Sequence, residues 1–99
     1  MSSSLSQGML VTIIGEAVLQ HRLIHLLDTV GASGYTIMPA QGAGTHGQRM
    51  GDVVGFNTNI QIKTLVSAEV SDRLLEELKQ FRDTYALIAF RQQVDGLFD

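Results

Sequence analysis

The chain predicts an α+β domain of ferredoxin-like order, βαββαβ, with a four-stranded antiparallel sheet and two helices on one of its faces. Three observations predict it. Short runs rich in apolar and β-branched residues alternate with two segments whose apolar residues recur at helical spacing. The length, 99 residues, suits one domain with one core. The long glycine-rich interval, residues 41–57, falls between the second and third strands rather than inside an element.

Residues 1–8 are polar and lack the charged and apolar regions of a signal peptide, so they read as a flexible N-terminus. Residues 9–14 form the first strand, and Gly15 ends it. Residues 16–30 are helical: Leu19, Leu23, Leu26, Leu27 and Val30 share one face, and Gly31 stands where a C-terminal cap belongs. Residues 35–40 form the second strand. It holds Pro39, the single proline, which cannot donate to a ladder and so belongs at a sheet edge.

Residues 58–66 form the third strand, with Ile60 and Ile62 alternating with Gln61 and Lys63. Ser67 suits an N-cap. The second helix covers residues 69–81, with Val70, Leu74, Leu78 and Phe81 on one face and Glu69 placed to pair with Arg73. Residues 85–90 form the fourth strand, and residues 92–99 read as a tail. A sheet of this order runs 4-1-3-2, leaving the second and fourth strands as edges. The first and fourth strands are apolar at nearly every position, which suits burial on both faces. Two helices cover one face only, so a further copy of the chain is expected on the other.

The net charge is −3 and the seven basic residues are scattered, so no basic stripe offers itself to nucleic acid. The chain has no cysteine, which excludes disulfides, thiolate metal sites and cysteine nucleophiles and fits a cytoplasmic location. No apolar run approaches the ~20 residues that span a bilayer.

Seven of the ten glycines lie between Gly31 and Gly55, around Gly42-Ala43-Gly44-Thr45-His46-Gly47-Gln48-Arg49. Glycine lets backbone approach a ligand closely and aim several N–H groups at it. Arg49 adds a guanidinium, which grips phosphate through two parallel bonds. The segment therefore reads as a cradle for a nucleotide phosphate or as a connector between strands, and no Lys-Ser or Lys-Thr makes it a Walker loop. Lys63 and Arg91 could add positive charge, and His46 could donate to phosphate. His21 and His25 are spaced i, i+4 on the first helix, without a third metal ligand nearby. No Ser-His-Asp arrangement or carboxylate pair argues for catalysis.

Gly34-Tyr35-Thr36-Ile37, together with the Gly42–Arg49 segment, resembles the second strand and loop base of PII-like signalling proteins. Asn59-Ile60-Gln61-Ile62 and Tyr85-Ala86-Leu87-Ile88-Ala89 resemble that family's third and fourth strands. The resemblance covers residues 9–90 and is nearest to the carboxysome-associated and bicarbonate-transporter-associated branches. It implies a trimer with adenine nucleotide (ADP or AMP) in the clefts between subunits, at the base of the long loop called the T-loop, residues 41–57 here. It implies bicarbonate as a second ligand, and no metal or other cofactor. It further implies a non-catalytic role, with a bicarbonate transporter or carboxysome-related protein as reader.

By this resemblance Gly42 and Gly44 are the loop-base glycines and Arg49 holds phosphate. Tyr35 and Thr36 lie near the nucleotide, and the backbone of Ile88 and Ala89 borders the loop base. With Thr45, His46, Gln48, Lys63 and Arg91 these complete the expected nucleotide and anion site. His46 replaces an arginine of the transporter-associated relatives, and their cysteine-based switch is not carried over. Three other readings compete with this one. The first is a trimeric ferredoxin-like metal-binding protein using His21 and His25. The second is an acylphosphatase-like enzyme, whose phosphate loop would follow the first strand, where Gly15-Glu16-Ala17 stands. The third, an RNA-binding sheet, is disfavoured because the third strand has no aromatic residue.

Overall fold

The computed structural model describes residues 4–41 and 59–98. Four strands, β1 (Ser6–Glu16), β2 (Thr36–Ala40), β3 (Asn59–Val66) and β4 (Leu87–Gly96), form one sheet in the order β2-β3-β1-β4. All three pairings are antiparallel. Two helices, α1 (Gln20–Val30) and α2 (Ala68–Leu78), complete the expected ferredoxin-like order. Pro39 lies on an edge strand, as its missing N–H requires.

Side chains alternate between the faces of a strand. Ile37, Ile62, Ile13 and Ala89 are cross-strand neighbours and make one row of the helix-covered face. The core builds on that face: Val11, Ile13, Ile60 and Ile62 meet Leu19, Leu23, Leu27, Leu74, Leu78 and Phe81, all buried. Gly31 caps α1 at φ 93°, a left-handed conformation that glycine adopts without a Cβ clash. The Ser67 hydroxyl accepts from the Val70 N–H at 3.1 Å and starts α2.

Both ends of the chain differ from expectation. Residues 6–8, read as a flexible N-terminus, and residues 92–96, read as a tail, are strand: Ser6, Gln7 and Gly8 pair with Gly96, Asp95 and Val94. The cause is a ladder of backbone bonds between two polar segments, which leaves no apolar alternation to read. The first helix also starts later. Glu16 ends β1, and a 3-10 turn, Ala17–Leu19, precedes α1. Arg73 does not pair with Glu69. Its guanidinium donates to the Val30 carbonyl at 3.0 Å and ties α2 to the C-terminal end of α1, where a cation suits the helix dipole.

Candidate ligand cleft on the open face

The face away from the helices carries the alternate rows. Thr36, Lys63, Thr12 and Phe90 are cross-strand neighbours from β2 to β4, and Met38, Gln61, Ile14 and Ile88 form the next row. No helix covers this face among the described residues, and Met38, Leu65, Ile88 and Phe90 are all exposed, Ile88 at 61%. In β1 and β4 apolar side chains stand on both faces, as Ile13 and Ala89 do on one and Ile14 and Ile88 on the other.

At the start of β2 this face opens into a cleft of about 700 Å³, lined by Gly34, Tyr35, Thr36, Lys63, Leu65 and Phe98 among others. Its shape follows from strand lengths. β3 runs on to Val66, whereas β2 begins only at Thr36, opposite Lys63. Among the described residues, the last part of β3 therefore has no strand beside it on that side, and the 31–35 connection swings past. The Thr64 hydroxyl donates to the Gly34 carbonyl at 2.5 Å and pins that connection to β3. Tyr35, Thr36 and Lys63 thus share one cleft, combining an aromatic ring, a hydroxyl and an ammonium group.

The other expected site residues fall elsewhere. Gly42, Gly44, Thr45, His46, Gln48 and Arg49 lie outside the described residues. Ile88 faces the open side on β4, the opposite edge from β2. Ala89 packs against the core on the helix side. Three strand spacings separate the two edges, roughly 14 Å. Arg91 shares a row with Val11 and Thr64 on the helix face. There its Nη1 donates to Ser71 Oγ at 2.7 Å and pairs with Asp72 of α2.

No pattern of residue types signals the turn between α2 and β4, which sits at the loop end of the sheet. There Gly15 pairs with both Ile60 and Leu87, and Glu16 pairs with Asn59. Glu16 is only 3% exposed, and its carboxylate accepts from the Ala86 N–H at 2.7 Å. Arg22 stacks over the rings of Phe81, at 4.7 Å, and Tyr85, at 5.9 Å. Residues 81–86 are therefore tied to Glu16, at the same end of the sheet as Ala40 and Asn59, the strand ends that flank the glycine-rich segment. Glu16 looks in sequence like an ordinary first-turn helical acid, and its role depends on a partner 70 residues away.

His21 and His25 are exposed on α1, and no group of three His, Cys, Asp or Glu gathers among the described residues. No helix among them is long and apolar enough to cross a membrane.

The fold is of the ferredoxin-like class, with a cleft at one edge of its open face. The chain belongs to the nitrogen regulatory protein P-II family, whose model matches residues 9–96. A PII-like signalling protein from Thermus thermophilus is similar in structure, with 36% identity, a TM-score of 0.79 and coverage of 96% of this chain and 94% of that one. CPII from Thiomonas intermedia, a nitrogen regulatory PII-like protein solved with ADP, AMP and bicarbonate, is 26% identical at a TM-score of 0.80. That match covers 97% of this chain and 99% of CPII. CPII with ADP and bicarbonate alone is 27% identical, again at a TM-score of 0.80, covering 95% and 92% of the two chains. No curated protein sequence matches.

Proposed function

We propose that this protein is a non-catalytic signalling subunit that binds adenine nucleotide, ADP or AMP, between copies of itself, with bicarbonate as a second ligand. The observation that carries the reading is the open-face cleft. It gathers Tyr35, Thr36 and Lys63, three residues nominated from sequence, in a fold shared with a relative that holds ADP, AMP and bicarbonate. The base end of the nucleotide lodges against Tyr35 and Thr36. Arg49, with the backbone of Gly42 and Gly44 and with Thr45, His46 and Gln48, takes the phosphates.

The site is shared between subunits. Ile88 lies on the edge strand opposite that of Thr36, so one ligand touching both is expected to lie between two chains. The exposed apolar residues Met38, Leu65, Ile88 and Phe90, spread over this face from β2 to β4, supply the contact between copies. The assembly is a trimer, and residues 1–99 form a single PII-like domain whose T-loop, residues 41–57, presents the bound state to a reader. The role is cytoplasmic and tied to inorganic carbon, with a transporter of bicarbonate or a carboxysome-related protein as the reader.

Calorimetric titration of ADP, with and without bicarbonate, tests this reading. ADP binding that tightens with bicarbonate is expected. Reciprocity then requires that ADP tighten bicarbonate by the same factor. Arg49→Ala should weaken ADP and leave the oligomer intact. Absence of ADP and AMP binding at millimolar concentration would overturn the reading.

A further inference from the structure

We infer that Phe98 is a specificity-determining wall of the cleft, a clamped aromatic ring against which the base of the nucleotide stacks. The inference rests on the proposed nucleotide reading and adds a residue to it. Leu97 and Phe98 follow the last residue of β4, and Phe98 lines the same cleft as Tyr35, Thr36 and Lys63. Leu97 is 85% exposed, whereas Phe98 is half-buried. Two adjacent apolar residues at the end of a strand thus have opposite fates, and only the second is held.

The way Phe98 is held is specific. The Ser6 hydroxyl donates to the Phe98 carbonyl at 2.6 Å and fixes its backbone to β1. The ring lies against two glycines. A Cβ on Gly8 would stand 3.0 Å from Phe98 Cε1 and 2.9 Å from the Val66 carbonyl oxygen. A Cβ on Gly96 would stand 3.2 Å from two atoms of the same ring. Gly8 and Gly96 sit in neighbouring strands near the Ser6–Gly96 pair, so the ring occupies a niche that side chains would close. An aromatic ring immobilised before the ligand arrives loses little further freedom on binding. A flat apolar face is suited to a purine, because every base presents a π-face to stack on.

Leu10 and Leu65 are cross-strand neighbours on the open face and line the same cleft. They give its floor an apolar character, while Lys63 supplies its only charged side chain among the described residues. A planar heterocycle fits that division better than a phosphate does. The cleft therefore takes the base, with Phe98 as the wall on the β1 side and Tyr35 on the β2 side.

The test compares Phe98→Leu, which keeps an apolar group over Gly8 and removes the ring, with Phe98→Tyr, which keeps the ring. ADP and inorganic pyrophosphate are each titrated by calorimetry. Loss of a base–aromatic stack predicts ADP binding weakened by about 5- to 150-fold in Phe98→Leu. Phe98→Tyr should stay near the parent protein, and pyrophosphate binding should be unchanged in both. Gly8→Ala should weaken ADP as Phe98→Leu does. If the parent protein binds ADP and Phe98→Leu binds it equally well, the inference falls and the nucleotide reading stands. If Phe98→Leu weakens pyrophosphate as much as ADP, Phe98 acts through the fold and the inference also falls. If the parent protein binds no adenine nucleotide, the nucleotide reading itself fails and takes the inference with it.

Discussion

Both faces of the sheet carry large apolar residues, yet they are built to different ends. On the helix side, Val11, Ile13, Ile60 and Ile62 are at most 6% exposed under Leu23, Leu27, Leu74 and Leu78. On the other side, Ile88 and Phe90 are 61% and 45% exposed, although they neighbour those residues along the same sheet. Intrinsic hydrophobicity therefore does not separate core from contact surface here. The separation comes from which side the two helices pack on, and the unpacked side keeps its driving force for a partner.

Substitutions on the two faces should break apart in what they disturb. The largest loss is expected from Ile62→Ala, which removes a side chain with no exposure and leaves a cavity under both helices. Unfolding in urea should show a loss of about 2–5 kcal/mol. Glu16→Ala should follow, at about 1–3 kcal/mol, because it leaves the Ala86 N–H without its carboxylate acceptor. Hydrogen exchange of the Ala86 amide should rise well above that of the β1 core in this variant. Ser67→Ala removes the hydroxyl that accepts from Val70 and should cost about 1 kcal/mol.

The open face sharpens the comparison from the other side. Ile88→Ser should change the stability of the isolated chain by no more than about 0.5 kcal/mol. The same substitution should lower the average mass in sedimentation equilibrium. A large loss of single-chain stability with unchanged mass would mean that the two faces do not differ in kind.

Much of the architecture can be read from the residues. Helix faces are visible because Leu23, Leu26, Leu27 and Val30 repeat with the period that burial on one side imposes. Gly31 and Ser67 announce their caps because each satisfies a local need of the backbone. The edge position of β2 follows from Pro39 alone. The strand extensions at residues 6–8 and 92–96 are hidden, since backbone pairing between polar segments leaves no pattern in composition. The candidate site is visible only where neighbouring residues stay together, as Tyr35 and Thr36 do. The contacts of Arg91 with Ser71 and Asp72 are not legible in the sequence, because one step along a strand changes the face a side chain meets. Glu16 and Phe98 escape notice because their partners, Ala86 and Ser6, lie at the far ends of the chain from them.

Native mass spectrometry of the protein mixed with ADP addresses the shared-site proposal most directly, because it counts chains and ligands in one spectrum. A three-chain species carrying up to three ADP is expected, with ADP absent from any single chain. A lone 10.8 kDa species without bound ADP, or a single chain that retains ADP by itself, would contradict it.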